Sequence, residues 1–190
     1  MRERRLQGLN RPHLIATAAL RLIGSTGISN LTVASIAAEV GVTPGALFRH
    51  FGSREEILDA VVDIAIGNID ATAPHPALPP LERIMAFARA RIDLAAREPG
   101  IAWLLGKEQA VHALSSGAAW RLDAALLAAR RSLLDAITQG ATAGEIRTDH
   151  APEALLATVA GTIDYLARRA RGEVEPALAA LVAMLAPPRA

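Results

Sequence analysis

The sequence has no cysteine. Disulfides, thiol nucleophiles and thiolate metal sites are excluded together, and the composition suits a reducing cytoplasm. Aromatic residues are scarce, at 3%, so alanine and aliphatic side chains must fill any core. No apolar run reaches the roughly 18–20 residues that a membrane span needs. The opening Met-Arg-Glu-Arg-Arg has the charge of a signal-peptide start. The apolar stretch 14–20, however, is bracketed by Asn10-Arg11-Pro12-His13 and by Arg21, which argues against a leader. Enzyme signatures are missing as well: G-x-S-x-G, H-E-x-x-H and a phosphate-cradling glycine loop are all absent. The histidines 13, 50, 75, 112 and 150 are scattered. Glu108 and His112 stand one helical turn apart, but no third ligand is visible. The expectation is a cytoplasmic non-enzyme with no catalytic residue, metal site or cofactor.

What is present is aliphatic. Over 190 residues, 52% are hydrophobic and mean hydropathy is +0.27, enough for a sizeable core in one large domain or two small ones. Alanine-rich stretches with few runs of Val, Ile, Thr or aromatics point to helices. The net charge of +1 is unevenly spread. Residues 1–56 hold seven arginines against four glutamates, and the remainder is slightly acidic. A basic N-terminal third hints at a polyanionic partner.

The pattern predicts an all-α chain of about nine helices. The first spans about 11–23, capped by Asn10, with Leu14, Ile15, Ala18 and Leu22 on one face. The second follows Thr32 as N-cap, with Val33, Ile36, Ala37 and Val40 as its apolar stripe and Gly41 as a left-handed C-terminal cap. A third helix of about two turns starts at Thr43-Pro44 and ends at Gly52. Ser53 then caps a fourth, 53–70, with Glu56 closing a capping box. Four prolines in 71–80 read as a linker or bend. Beyond it the helices 81–97, 101–112, 116–139, 152–171 and 173–186 are expected. The domains are thus 1–56, joined by the fourth helix to a larger domain, 81–190.

The second and third helices, joined by Gly41-Val42, form a helix-turn-helix pattern. Leu47, Val42 and Phe51 face inward. Thr43, Pro44, Gly45, Ala46, Phe48, Arg49 and His50 are left on the outside. Small residues at the helix start let the backbone approach a phosphate, and free N–H groups there suit an anion. Arg49 can donate two hydrogen bonds to guanine O6 and N7, and Arg54 offers a second phosphate clamp.

The run TVASIAAEVGVTPGALFRHFGSREEIL, 32–58, resembles the DNA-binding domain of TetR-family transcriptional regulators, and the match extends over about 15–58. The resemblance implies that Thr32 and Thr43 supply phosphate-contacting hydroxyls and that His50 contacts phosphate. It puts Arg54 where a lysine is common, and Arg49 at the variable, base-reading position. Phe48 departs from the usual tyrosine, losing a hydroxyl bond to phosphate while keeping apolar contact with a sugar or thymine methyl. The tail 1–5 is read as a disordered arm, with minor-groove contact as the sharper option. The implied protein is a homodimeric repressor, released from a double-stranded DNA operator by an unknown small apolar or amphipathic effector. Two other readings stay open: a DNA-binding regulator of the same fold without an effector, and a helical ligand-binding protein or enzyme that has lost DNA binding.

The resemblance assigns effector binding and dimerisation to the remainder. Helix 152–171 carries two stripes, Leu155, Val159, Ile163, Leu166 and the smaller Ala154, Thr158, Gly161, Tyr165. The last helix repeats the arrangement, and Ala177, Leu181 and Met184 complete the expected dimer face. The effector cavity is expected among 81–140, mainly apolar, walled by Met85, Phe87, Trp103, Leu104, Trp120 and Leu126. Arg89, Gln109 and His112 are its candidate polar anchors.

Overall fold

The structure, a computed structural model, describes residues 11–106, 113–168 and 173–188. Among these the chain is all-helical. Its helices are α1 (Arg11–Thr26), α2 (Val33–Val40), α3 (Pro44–Leu47), α4 (Arg54–Asp70), α5 (Pro80–Arg97), α6 (Pro99–Gly106), α7 (Ser116–Thr142), α8 (Pro152–Leu166) and α9 (Val174–Leu185), with a 3-10 turn at Ile28–Asn30. The expected Asn10 cap, the N-terminal arm, Gln109 and the Glu108–His112 pair lie outside the described residues.

Two compact units emerge, and they do not follow the division at 71–80. Residues 98–123 group with 1–68; residues 69–97 group with 124–190. In the first unit, α1 packs on α2 and on α6. Its buried face is Ile15, Ala16, Ala18, Ala19, Leu20 and Ile23. That arc is wider than a stripe for one neighbour would need, because α6 covers a second side. Leu14, expected inside, is half exposed. The α1–α6 contact is made by glycines. A Cβ on Gly24 would sit 2.6 Å from the Gly100 nitrogen, and one on Gly100 would fall on the Leu20 carbonyl oxygen. Neither helix can carry a side chain there without parting. Gly100→Ala is therefore expected to destabilise this unit by roughly 1–3 kcal/mol, as overpacking does. An unchanged thermal midpoint would contradict the close approach.

In the second unit, α8 packs on α5 and α9. The shared core includes Ile84, Phe87, Ala88, Ile92, Leu155, Val159, Ile163, Leu166, Leu178, Leu181 and Leu185. The loop after α7 is tied to the end of α9. The Arg147 amide donates to the Leu185 carbonyl at 2.9 Å, and its Nη1 to that of Met184 at 3.1 Å. Carbonyls left unpaired at a helix C-terminus are thereby satisfied. The Arg147 guanidinium also grips Asp149 with two bonds of 2.6 Å. Those bonds hold the Asp149 carboxyl down to about 2.

Candidate nucleic-acid interface

The site is built on caps. Thr32 Oγ1 accepts from the Ser35 amide at 3.0 Å and Ser35 Oγ accepts from the Thr32 amide at 3.0 Å, a reciprocal capping box that starts α2. Gly41 ends α2 at φ 74°, ψ 36°, a left-handed conformation that a Cβ would strain. The chain then turns through Val42 into α3. There Thr43 Oγ1 accepts from the Ala46 amide at 3.3 Å and Pro44 occupies the first helical position. These caps use oxygen lone pairs. The hydroxyl proton of Thr43 can still be donated to an anion.

The regular part of α3 is shorter than two turns. After Leu47 the backbone tightens, with the His50 and Phe51 amides both donating to the Leu47 carbonyl at 2.9 and 3.1 Å. Leu47 and Phe51 are the buried anchors of this segment, as expected. Thr43, Pro44, Gly45, Phe48, Arg49 and His50 are exposed, and Ala46 is half-buried. Phe48 keeps 52% of its surface in solvent, so its ring is open to apolar contact from outside the unit. Nothing stands within 4 Å of where a Gly45 Cβ would be, so a flat partner can lie against the backbone there. Arg49 and His50 border a depression of about 360 Å³ whose other walls are Arg11, Ile15, Val40, Val42 and Ala46. Arg11 is a contribution that motif reading missed. It stands at the start of α1, more than 30 residues from Arg49 in sequence, and only the fold joins them.

Arg54 is placed differently from the expectation. Its Nε donates to the Leu31 carbonyl and its Nη2 to the Ile28 carbonyl, both at 3.0 Å. The guanidinium is partly buried and spans two backbone acceptors at the 3-10 turn, so its first duty is to tie α4 to the entry of α2. Ser53 does cap α4, accepting from the Glu56 amide at 3.1 Å, while Glu56 accepts from the Gly52 amide at 2.7 Å rather than from Ser53. Arg54→Ala is expected to lower stability by roughly 1–3 kcal/mol. Arg54→Lys should recover only part of it, because one ammonium cannot bridge both carbonyls. Melting midpoints check this; equal midpoints for wild type and Arg54→Ala would restore the free phosphate clamp.

The expected effector residues are divided between the two units. Met85 and Phe87 lie in the core of the second unit. Leu104 is buried and Trp103 half-buried in the first unit, Trp103 beside Gly27. Trp120 is 72% exposed, because Ala118, Ala119 and Leu122 form the inward side of that turn. Leu126 is half-buried. Arg89 is no pocket anchor: it points outward and holds Glu175 with bonds of 3.2 and 3.1 Å. Of the expected dimer face, Ala154, Gly161, Tyr165 and Met184 are exposed and Thr158 and Ala177 half-buried. Leu181, only 1% exposed, belongs to the core of its own unit instead, since it follows Leu178 on the inward side of α9.

Comparison with known proteins bears on the family and the fold. Residues 15–61 match the family model described as bacterial regulatory proteins, tetR family. The HTH-type transcriptional regulator BetI of Rhizobium meliloti is 35% identical over 173 residues, spanning 80% of this chain and 85% of that protein. Among solved structures, the ketosteroid transcriptional regulator KstR2 of Mycobacterium tuberculosis superposes with a TM-score of 0.80 at 20% identity, over 93% of this chain and 95% of that one. AibR, crystallised with isovaleryl coenzyme A and operator DNA, gives 0.79 at 23% identity, over 94% and 100%.

Proposed function

Because the chain belongs to the tetR family of bacterial regulatory proteins, we propose that it is a homodimeric repressor which leaves its operator when a small amphipathic molecule binds. It is a transcriptional regulator by family. The dimer, the effector and the roles of single residues are our reading. The observation that carries it is the exposed segment Thr43–His50, with Phe48 and Arg49 outward, His50 alongside and Arg11 across a shared depression. Arg49 suits a guanine edge, whereas Arg11, His50 and the Thr43 hydroxyl suit phosphates, which fix position without reading sequence. AibR holds a ligand and operator DNA on the same fold, which supports an effector-responsive reading here. The exposed small residues of α8 support a two-fold partner. Acting on chromosomal DNA, such a protein works in the cytoplasm.

The test is selection from a random duplex pool. Recovery of an inverted repeat supports a symmetric dimer on DNA, since operator symmetry mirrors protein symmetry. Recovery of an unpaired half-site would remove the dimer from the reading, and absence of any enriched sequence would remove operator recognition.

A further inference from the structure

Arg91 lies in the middle of α5 and keeps only 7% of its surface in solvent. Its Nη1 is buried without a hydrogen-bond partner. Two other arginines among the described residues have a buried, unbonded nitrogen, Arg83 and Arg121. Each engages another nitrogen, Arg83 with Gln139 at 2.6 Å and Arg121 with Asp63 at 3.2 Å. Arg91 has no such bond. Asp164 and Asp70 are near enough to favour its charge, but burial outweighs them and pulls its pKa down. What touches it is the Phe87 ring, whose centroid is 4.9 Å from its Cζ. The surroundings are the apolar core of this unit, with Ile84, Ala88 and Ile92 on the same helix.

A buried charge without a hydrogen-bonded counter-ion is costly. The guanidinium carbon lies over the ring, where a cation on a π-cloud is favourable. The N–H donors lie in the guanidinium plane, so their edge is left for a planar, two-oxygen acceptor. We propose that Arg91 is the anchor for the effector's carboxylate, and that the effector is an apolar molecule ending in one carboxylic acid. The carboxylate neutralises the buried charge, and the apolar remainder packs among the aliphatic side chains of the unit. A cationic head of the same size is excluded by the same charge. This deepens the effector-responsive reading above and rests on it.

The probes are straight-chain monocarboxylates of four to twelve carbons, the alcohols of equal length and the matching trimethylammonium compounds. Each is titrated calorimetrically into the full chain without DNA, in wild type and in Arg91→Met, which replaces the charge with an apolar side chain of similar length. Operator binding is measured on the same preparations. A charged hydrogen-bonded pair predicts a carboxylate preference over the alcohol of roughly ten- to hundredfold in wild type. In Arg91→Met the two should bind alike, and without ligand this variant should melt no lower than wild type. Equal binding of acid and alcohol to wild type, a preference that survives in Arg91→Met, tighter binding of the ammonium compounds, or no binding of any probe would each overturn the assignment. If acids bind through Arg91 but leave operator affinity unchanged, the anchor stands and effector release falls. If no acid binds while the operator does, the anchor falls and the DNA-binding reading stands.

Discussion

Gly161→Arg is expected to convert the protein from dimer to monomer without unfolding it. Gly161 is solvent-exposed on α8, on the same side as Ala154, Thr158 and Tyr165, and an added Cβ there meets nothing within 4 Å. In the isolated chain the arginine therefore has room. Replacing a mid-helix glycine even favours the helix by up to about 1 kcal/mol. In a two-fold interface the same side chain is buried against a partner shaped for a glycine, with its charge unpaired. A buried unpaired charge costs roughly 3–5 kcal/mol, and the symmetric interface contains it twice. Light scattering should give twice the chain mass for wild type at micromolar concentration and one chain mass for the variant, with helical circular dichroism unchanged. A monomeric wild type, or a dimeric variant, would mean that this face of α8 has another use.

Local chemistry was legible in the sequence; long-range placement was not. Thr32, Gly41, Thr43 and Pro44 were read correctly because a cap is a short-range event, a side chain bonding an amide two or three residues on or a glycine taking a positive φ. Of the expected inward set, Ile36, Ala37, Leu47 and Phe51 are buried, while Val33, Val40 and Val42 are half-buried. The tie from Arg54 to the carbonyls of Ile28 and Leu31 spans 26 and 23 residues, and no periodicity announces such a bond. The grouping of 98–123 with the N-terminal segment was hidden for the same reason. Gly24 and Gly100 each look like breakers in sequence, and only their mutual contact explains both.

Two of the four arginines of α5 are distinguished by a signal that lies in the sequence. Arg89 and Arg91 are two residues apart, so they point to nearly opposite sides of the helix. Ile84, Ala88, Arg91 and Ala95 recur at helical spacing on the buried side, and Arg89 does not. Reading the stripe first would have placed Arg91 inside and left Arg89 to its surface partner. Trp120 yields to the same treatment: Ala118, Ala119 and Leu122 define the inward side of its turn, and size alone did not earn the tryptophan a place in it.

The segment Thr43–His50 is proposed to read DNA sequence through Arg49. The direct measurement is a binding titration of wild type and Arg49→Ala against the selected operator and a random duplex, over a range of salt concentrations. Arg49 is exposed and lies outside the core, so its removal should leave stability within about 0.5 kcal/mol. A bidentate contact to guanine is worth roughly 1–3 kcal/mol of discrimination, which a dimer loses at both half-sites. That loss is expected on the operator, with random-duplex affinity barely changed and the salt dependence kept, since random-sequence binding is carried by phosphate contacts. Equal losses on both duplexes, with a shallower salt slope, would make Arg49 a phosphate contact. No loss on either would contradict the claim that this helix reads DNA.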